Sequence, residues 1–324
     1  MMKIFTSIEQ IADIPQTAVA LGNFDGVHLG HTELIRRSVT YARERGLSPA
    51  VFTFSNHPYN VISGNPLIRS VITQEDKERL LSALGVEYIF SFKFDEGFHT
   101  MLPEEFIERA LLGAMRARAV FCGFNFRFGS AAAGSPDMLR VAAASKGFDL
   151  VVMEPYRVDG ALVSSTMVRE LIEAGDVAEA EKFLGRPFTI SGEITRGNGL
   201  GRGFGFPTAN IALPDGFVVP AYGVYVTESE LGADTRRSLH GNGAEGYSSR
   251  VMRSVTNVGV RPTIGDDRLL AETHILGAEY GDLYGHRIRV GFLSMIRPER
   301  RFVGTGELIV QVERDKDAAL GYRS

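Results

Sequence analysis

Short apolar runs alternate with amphipathic stretches over the first 185 residues of the chain. The apolar runs predict β-strands at residues 19–21, 50–54, 86–92, 119–123 and 149–154. The stretches between them begin at capping residues or end at glycines, and they predict helices at 31–45, 73–85, from Pro103, at 135–147, 166–174 and 177–184. Strands that alternate with helices of this length form a parallel sheet covered on both faces. Ligands of such a sheet bind at the carboxyl ends of its strands, at a topological switch point.

The pattern changes after Gly185, where glycine becomes frequent and helical periodicity nearly disappears. Runs rich in β-branched residues predict strands at 188–194, 223–227, 251–258, 271–276 and 287–292. One late amphipathic stretch predicts a helix at 305–317. This order is typical of a small antiparallel barrel with a terminal helix. We therefore place a boundary at 185–187, which gives an α/β domain at 1–185 and a mainly β domain at 186–324.

The composition is that of a globular chain, since hydrophobic residues make up 44% and charged residues 23% of its 324 positions. A formal charge of -4, with Lys and Arg spread along the chain, argues against a dedicated nucleic-acid binder. No stretch reaches the roughly 18 apolar residues of a membrane span, and residues 1–15 lack the apolar core of a signal peptide. The single cysteine, Cys122, indicates a reducing compartment, so we expect a cytoplasmic protein. Its apolar surroundings favour a buried strand position over a catalytic thiol.

A string rich in glycine and histidine, residues 21–31, lies between the first predicted strand and the first predicted helix. His28 and His31 are three residues apart at a helix start, so both side chains can face one small volume. Helix N-termini bind phosphates, and Gly22 and Gly30 let the backbone approach a ligand closely. An imidazole can donate to the charge on a departing pyrophosphate. Metal binding and two surface histidines are the alternatives, and the whole string favours phosphate chemistry.

A second set of candidate phosphate ligands lies where the helix at 166–174 begins. Ser164, Ser165 and Thr166 place small hydroxyls at the helix start, and Arg169 follows one turn later. The hydroxyls can donate to a phosphate, and the arginine adds a bidentate cation. An ordinary helix cap would explain one hydroxyl but not the arginine.

Residues 199–210 form a glycine-rich string that ends in Pro207, Thr208, Ala209 and Asn210. So many glycines weaken a regular element, which indicates either a flap with close backbone approach or a simple turn. Thr208 and Asn210 are two apart in an extended segment, so their side chains face the same side. Their oxygens suit Mg²⁺, which prefers hard ligands and shares them with phosphates.

The first string resembles the HxGH signature of nucleotidylyltransferases, in the extended form GNFDGVHLGH of the bacterial bifunctional riboflavin kinase/FAD synthetase family. Residues 164–169 resemble the SSTxIR motif of the same family. The resemblance implies a Rossmann-like nucleotidylyltransferase fold, in which His28 and His31 bind ATP phosphates and stabilise the departing pyrophosphate. The residues that it assigns to the ATP site are Gly22, Asn23, Phe24, Asp25, Gly30, Ser164, Ser165, Thr166 and Arg169.

Residues 52–58, FTFSNHP, resemble the FTF-x-x-HP strand end of this family. The resemblance implies flavin contacts at His57 and Pro58. Asn56 stands where the family often has proline or glutamate.

Residues 123–129 resemble the G-x-[ND]-[FY]-x-FG loop of the family. This implies that Asn125 lies near the ribityl or phosphate group of FMN and that Phe128 lies beside the isoalloxazine ring, where stacking would contribute binding. Phe121 and Phe126 are expected to be core residues.

The second string resembles the GRxLGFPTAN motif of riboflavin kinases. It implies that Thr208 and Asn210 are the Mg²⁺ ligands. It also implies ATP contacts at Gly201, Arg202 and Pro207.

The resemblance extends to later strands. Residues 271–275 resemble the E-x-[HF] segment of the family, which implies that Glu272 is the base that takes the proton of the ribityl 5′-hydroxyl. Gly277 stands where the family commonly has Asp or Asn. Further similar segments lie at 257–263, 282–285 and 297–302, and in the last of these Arg297 is a candidate flavin contact.

We therefore expect a bifunctional enzyme that uses ATP to convert riboflavin to FMN and FMN to FAD, as a monomer or weak homo-oligomer. The alternatives are a kinase whose adenylyltransferase half has decayed and a flavin-binding module without chemistry. The sequence has no G-x-x-x-x-G-K-[ST] motif of a P-loop kinase. One G-x-G-x-x-G does occur, at 241–246, inside the polar stretch 229–249. Because the stretch is low in apolar residues, we interpret it as an exposed excursion. No strand precedes the G-x-G-x-x-G and no helix follows it, so we interpret it as a flexible loop and not as a dinucleotide site.

Overall fold

The computed structural model describes residues 2–196, 206–232, 251–260, 269–277 and 283–323. The chain divides into two units, Met1–Ser165 and Thr166–Ser324. This division falls before two short helices that the sequence places at the end of the first domain, and the boundary at 185–187 stays a prediction. The G-x-G-x-x-G segment lies outside the described residues.

The first unit is built on a six-stranded parallel sheet, as the sequence predicts. Its strands are β1 (Lys3–Phe5), β2 (Thr17–Leu21), β3 (Ser48–Phe54), β4 (Tyr88–Phe92), β5 (Ala117–Gly123) and β6 (Asp149–Met153). Its helices are α1 (Leu29–Glu44), α2 (Pro58–Ser63), α3 (Gln74–Ala83), α4 (Glu96–Thr100), α5 (Pro103–Glu105), which continues as a π-helix (Phe106–Ala114), and α6 (Pro136–Lys146). A hairpin follows, formed by β7 (Arg157–Val158) and β8 (Ala161–Leu162).

Strand order fixes where a ligand can bind in the first unit. The strands lie in the order β1-β4-β3-β2-β5-β6. The chain moves outward from β2 through β3 to β4 and then crosses back to β5, on the other side of β2. The topological switch point therefore lies between the carboxyl ends of β2 and β5, where such sheets bind ligands.

Both faces of the sheet are covered, which β2 shows by strict alternation. Val19 and Leu21 pack into one apolar core, whereas Ala18 and Ala20 pack into the core on the other face. Because successive side chains of a strand point to opposite faces, a strand buried on both sides is apolar throughout.

The helix boundaries follow from local chemistry. Thr73 caps α3 by accepting a hydrogen bond from the Asp76 N–H, and Ser135 caps α6 in the same way through the Met138 N–H. Gly147 ends α6 in the left-handed conformation, with φ 73°. These starts and stops are those that the sequence predicts.

Strand β1 was not predicted from the sequence. It has three residues, and two of them are exposed. It lies at the edge of the sheet and pairs only with β4. Because a short, exposed edge strand carries no apolar run, periodicity does not reveal it.

Helix α7 (Ser165–Ala174) begins at the last residue of the first unit, and the second unit contains the rest of α7, α8 (Val177–Leu184) and a six-stranded antiparallel sheet. Its strands, in the spatial order β10-β13-β12-β11-β14-β9, are β9 (Phe188–Glu193), β10 (Ala209–Ala212), β11 (Gly223–Leu231), β12 (Met252–Val260), β13 (Leu269–Ile275) and β14 (Arg287–Pro298). A bridge between Thr195 and Asn210 joins the two edges, so the sheet closes toward a barrel. The terminal helix, α9 (Thr305–Gly321), packs Ala319 against Val226 and Leu293 on the outer face. None of the helices within the described ranges is long and apolar enough to cross a membrane.

The expected excursion at 229–249 is wrong at its start. Strand β11 continues to Leu231, and Ser229 is fully buried. The polar serine fits inside because its hydroxyl forms a 2.8 Å hydrogen bond with that of Ser254. Residues 233–249 lie outside the described residues.

Ser229 belongs to a set of buried hydroxyls that we call the inner hydroxyl cluster. Hydrogen bonds of 2.8–2.9 Å link its members across β11, β12 and β13. The members are Thr227, Ser229, Ser254, Thr256 and Thr273. Each is fully buried, and a buried hydroxyl is tolerated when it is hydrogen-bonded.

Cys122 occupies a fully buried position in β5, as expected, and burial raises the pKa of its thiol to about 11. An unfolded cysteine has a pKa of about 8.5. At pH 8 the native thiol should therefore react with a disulfide reagent at least about 100-fold more slowly than in denaturant, because the thiolate is the reactive form. Absorbance at pH 8, with and without urea, measures both rates. Equal rates would show that the thiol is accessible.

Candidate functional site

The loop that leaves β2 brings two imidazoles together. His28 is the N-cap of α1, and its Nδ1 accepts a 3.3 Å hydrogen bond from the His31 N–H. The two rings are stacked, with centroids 3.6 Å apart and planes 14° from parallel. The predicted convergence of these side chains is confirmed, and it occurs beside the switch point.

The backbone of this loop is held in an unusual conformation. Phe24 and Val27 both adopt positive φ, at 50° and 42°. A β-branched residue rarely tolerates the left-handed region, and such strain persists only where the surroundings impose it. The constraint fixes the position of His28, which follows immediately.

His31 is poised as a neutral imidazole. Burial lowers its pKa well below the usual value, and the charges of His28 and Lys77 lower it further. Its Nδ1 is buried and has no hydrogen-bond partner among the described residues. A neutral ring can present one N–H to an anion and keep the other nitrogen as an acceptor.

Three of the predicted ATP contacts are also explained by packing. The Phe24 ring is fully buried and meets the His31 ring edge-on, with centroids 5.2 Å apart. A Cβ on Gly22 would lie 3.0 Å from this ring, and one on Gly30 would lie 3.2 Å from the Tyr156 Cβ. These residues therefore support the histidine pair, and their contact with ATP stays a prediction.

Asp25 anchors the loop that carries His28 through hydrogen bonds. Its Oδ1 accepts hydrogen bonds from the Val71 N–H at 2.8 Å and the Ser70 hydroxyl at 3.1 Å. Its carbonyl accepts a 2.9 Å bond from the Ser165 hydroxyl. This last bond holds Ser165, the last residue of the first unit, against the histidine loop, and the contact of Ser165 with a phosphate stays a prediction.

Ser164, Thr166 and Arg169 occupy the positions that the sequence predicts along the start of α7. Thr166 is exposed, whereas Ser164 and Arg169 are half-buried. Their contact with a phosphate stays a prediction.

An aromatic wall lines the carboxyl ends of β3, β4 and β5. Its rings contact one another in sequence, with centroid distances of 5.1 Å for Phe54 and Phe94 and 5.3 Å for Phe106 and Phe128. Its members are Phe52, Phe54, Phe94, Phe98, Phe106, Phe126 and Phe128. Such a surface is suited to a planar aromatic ligand.

The phenylalanines of the 123–129 loop differ in exposure. Phe128 is buried against Phe106, and a Cβ on Gly134 would lie 2.7 Å from its ring. Phe126 is half-buried against the core, and Phe124, which the sequence does not single out, is 44% exposed. Phe124 is therefore the more accessible ring in this loop.

Asn125 is exposed in the turn that leaves β5, on the far side of the switch point from β3. Its side chain folds back on the strand end, so that a Cβ on Gly123 would lie 3.3 Å from its Oδ1. Asn125 therefore lies at the carboxyl edge of the sheet, and its contact with FMN stays a prediction.

Asn56 has a local role that accounts for its presence. Its side-chain amide donates to the Phe94 carbonyl at 3.0 Å and accepts from the Phe94 N–H at 2.7 Å. The pair extends the contact between the ends of β3 and β4, which a proline could not do. His57 and Pro58 follow directly and begin α2, with Pro58 in its first turn.

The second unit aligns its polar residues in one cross-strand row. Asn210 pairs with Glu272, Glu272 with Asn257, Asn257 with Val224, and Val224 with Arg297. Opposite residues of antiparallel strands point to the same face, so this outer row is continuous over five strands. It brings Glu272 and Asn210 together, and it adds Asn257 between Glu272 and Val224.

Asn210 has a buried side-chain oxygen that is available to a ligand. It is 3% exposed, and its Oδ1 has no hydrogen-bond partner among the described residues. An amide oxygen buried in this way can serve as a hard ligand for a cation. Thr208 lies two positions earlier and is half-buried. Gly201 and Arg202 lie outside the described residues.

His274 is a positioning residue that was not predicted from the sequence. Its Nδ1 lies 2.8 Å from the Pro207 carbonyl, and its ring meets Phe206 edge-on at 5.9 Å. Burial lowers its pKa. His274 thus anchors the segment that precedes Thr208, and spacing alone gave no signal for it.

Arg297 forms a buried ion pair with α9. Its Nε and Nη2 bind the Asp315 carboxylate at 2.8–3.1 Å, and Gln311 donates to the same carboxylate at 2.7 Å. The guanidinium therefore clamps α9 to β14, and the predicted flavin contact stays a prediction.

Gly277 adopts φ +76° with nothing within 4 Å of a built Cβ. Asp and Asn are, after glycine, the residues that best tolerate this region. Glycine at position 277 is therefore compatible with the same positive-φ backbone conformation as the Asp or Asn of the family pattern.

The comparisons with known proteins match two different families to two separate ranges of the chain. A family model described as FAD synthetase matches residues 10–167, and one described as riboflavin kinase matches residues 184–322. The first range holds the histidine pair, and the second holds the outer row. None of the described residues form a group of three or more His, Cys, Asp or Glu that could hold a metal ion.

Two relatives match nearly end to end. A bifunctional riboflavin kinase/FMN adenylyltransferase of Escherichia coli (strain K12) is 33% identical over 317 residues, which are 97% of this chain and 96% of that protein. A protein of the same name from Bacillus subtilis (strain 168) is 33% identical, over 95% of this chain and 93% of that protein. A crystal structure described as a macrolide-efflux protein of Streptococcus pneumoniae has a TM-score of 0.85, 28% identity and 99% coverage of both chains. The efflux role belongs to that description alone.

The Arg297 clamp gives a prediction about stability. In this pair the carboxylate is 3% and the guanidinium 17% exposed. Arg297→Met should lower the free energy of unfolding by about 3 kcal/mol, because it leaves the Asp315 carboxylate buried without its cation. Urea denaturation followed by circular dichroism measures the change.

Arg300→Met is the matched control for this prediction. Arg300 pairs with Glu307 at 3.4 Å, and both side chains are about half-exposed. This variant should lose less than about 1 kcal/mol, as exposed pairs do. Equal losses for the two variants would contradict the clamp.

Proposed function

We propose a division of labour from the premise that the chain belongs to the family of bifunctional riboflavin kinase/FMN adenylyltransferases. The second unit phosphorylates riboflavin to FMN with ATP. The first unit transfers the adenylyl group of a second ATP to FMN, which yields FAD and pyrophosphate. We expect the enzyme to act in the cytoplasm.

The observation that carries the proposal is that the two constellations lie in different units. The stacked His28 and His31 follow β2 in the first unit, whereas Asn210 and Glu272 are cross-strand partners in the second. Each constellation falls within the family model whose name fits its chemistry. One chain can therefore direct ATP to two different reactions.

In the kinase half, Glu272 takes the proton of the riboflavin 5′-hydroxyl as its oxygen attacks the γ-phosphorus of ATP. The bond from the γ-phosphorus to the β,γ-bridging oxygen breaks, and ADP leaves. Glu272 lies in the outer row between Asn210 and Asn257. The row keeps the carboxylate next to the residues that face the phosphates.

Residues of the same half fit a Mg²⁺ ion. The orphaned Oδ1 of Asn210 and the hydroxyl of Thr208 are hard oxygen donors on one side of an extended segment. When bound, Mg²⁺ neutralises phosphate charge. His274 holds the carbonyl of Pro207 and thereby fixes where Thr208 begins. Gly201, Arg202 and Pro207 complete the proposed ATP contacts.

In the adenylyltransferase half, a phosphate oxygen of FMN attacks the α-phosphorus of ATP. The bond from the α-phosphorus to the α,β-bridging oxygen breaks, and pyrophosphate leaves. His28 and His31 offset the charge that develops on the leaving group. Arg169 stays a predicted phosphate contact. The lowered pKa of His31 keeps it a neutral donor, which an acidic shift of pH would change.

The remaining predicted contacts bind the flavin and ATP in the adenylyltransferase half. The isoalloxazine ring packs against the aromatic wall, which includes the buried Phe128, and the exposed ring of Phe124 in the same loop offers further surface. His57, Pro58 and Asn125 lie at the same carboxyl edge of the sheet. Gly22, Asn23 and Gly30 approach ATP through their backbone, and Ser164, Ser165 and Thr166 do so through their hydroxyls.

Glu272→Gln should reduce FMN formation by about 10²- to 10⁴-fold, because the amide cannot accept the proton. FAD synthesis from supplied FMN should continue at the normal rate. Incubation with ATP and Mg²⁺, and either riboflavin or FMN, followed by chromatography measures both steps. His28→Asn combined with His31→Asn should show the reverse, with FMN accumulating.

The same assay distinguishes the alternatives. FMN alone from the unmodified protein would indicate a decayed adenylyltransferase half, and no product would indicate a binding module. Loss of both steps in Glu272→Gln would refute the division of labour.

Asn210→Leu tests the metal ligand. It removes the buried amide oxygen while keeping the side-chain volume and the main-chain bridge to Thr195. The Mg²⁺ concentration for half-maximal FMN formation should rise by about 10-fold or more, because one ligand is lost. FAD synthesis from FMN by the same preparation serves as the control. An unchanged Mg²⁺ dependence would remove Asn210 from the site.

A further inference from the structure

Lys77 is a buried cation to which the proposed chemistry gives no role. It lies on α3 and is 7% exposed. It forms no ion pair with any described residue, although its helix neighbour Asp76 pairs with Arg79. Because a buried ammonium is costly unless it is paired, the position needs an explanation.

The hydrogen bonds of Lys77 place it at the edge of the first site. Its Nζ donates to the carbonyl of Asn23 at 3.3 Å and to that of Phe54 at 3.4 Å. Asn23 follows β2 in the histidine loop, and Phe54 ends β3 within the aromatic wall. The ammonium thus lies between the proposed ATP and flavin contacts.

These two bonds do not account for a charged residue. The Asn23 carbonyl already accepts a shorter bond, 2.9 Å, from the Thr53 hydroxyl. Both bonds of Lys77 are long, and they use two of the three N–H groups of an ammonium. The third has no acceptor among the described residues.

Charged groups of both signs lie around Lys77. Burial lowers the pKa of its ammonium, while the carboxylates of Asp25 and Glu78 favour the charged form. Asp25 already accepts hydrogen bonds from Ser70 and Val71. His31 is close enough for the charge of Lys77 to lower its pKa, alongside burial and His28.

We infer that the Lys77 ammonium binds a substrate phosphate beside His28 and His31 in the first unit. The ligand class is a phosphate, either the monoester of FMN or the triphosphate of ATP. The inference rests on the proposed function of this unit and adds a phosphate-binding residue to it. Bound phosphate would compensate the buried charge and use the third N–H.

Lys77→Met tests the charge at nearly constant volume. The kcat/KM of FAD synthesis should fall by about 10- to 100-fold, as for a lost charge-assisted hydrogen bond. Calorimetry with inorganic pyrophosphate should show weaker binding by a similar factor. A raised KM for FMN assigns the monoester, and a raised KM for ATP assigns the triphosphate. Lys77→Arg should recover part of the loss.

Thr53→Val is the matched control, because it removes the other bond to the Asn23 carbonyl and leaves the charge. It should keep pyrophosphate binding within about 3-fold of the unmodified protein. FMN formation by the second unit reports the integrity of each preparation. Should Lys77→Met fail to fold, Lys77→Gln replaces it under the same criteria.

The pH dependence separates binding from mere support of the loop. Removal of the Lys77 charge raises the pKa of His31, so the acidic limb of FAD synthesis should move to higher pH in Lys77→Met and stay in place in Thr53→Val. FAD synthesis by the unmodified protein tests the proposed function independently. If that activity is present while Lys77→Met keeps normal pyrophosphate binding, KM values and acidic limb, the inference about Lys77 is overturned.

Discussion

Buried hydroxyls inside the second unit hold the register on which its chemistry depends. The inner hydroxyl cluster links β11, β12 and β13 through bonds of 2.8–2.9 Å. The same register places Asn210, Glu272 and Asn257 in one row on the outer face. A slip of one residue would turn Glu272 inward and leave hydroxyls unsatisfied, so the inner bonds protect the outer arrangement. The ion pair of Arg297 with Asp315 then fixes α9 against the far end of the row.

In the first unit, a loop and not the register of a sheet positions the site residues. There the site is a strained segment whose polar groups are anchored from beneath, by the contacts of Asp25 with Ser70 and Val71 and by the ring of Phe24 under His31. In both units, substrate-facing atoms are placed by partners that face away from the substrate.

Local signals were enough to predict much of this architecture. Alternating apolar runs, capping residues such as Thr73 and Ser135, and terminal glycines such as Gly147 identify the elements of the first unit, because each acts within one turn of chain. The short string of unusual composition at 21–31 identifies His28 and His31, whereas Glu272 is identified only through the resemblance to the family. The barrel was predicted from its β-branched runs.

What was not predicted depends on contacts distant in sequence. Strand β11 extends through Ser229 because a partner hydroxyl on β12 satisfies it. The ion pair of Arg297 with Asp315 and the burial of Lys77 are likewise not indicated by the sequence pattern. Each case requires knowledge of which groups meet in three dimensions, which periodicity does not carry.

The bridge between Thr195 and Asn210 has a consequence for how the second unit can lose activity. Asn210 closes the seam of the sheet with its main chain, where Thr195 donates to its carbonyl at 2.9 Å, while its side chain belongs to the outer row. Fraying of this seam, a local event that precedes global unfolding, displaces the amide oxygen at the same moment. On the proposed role of Asn210, kinase activity is therefore coupled to the closure of the barrel, and local opening of the seam inactivates the unit before it unfolds.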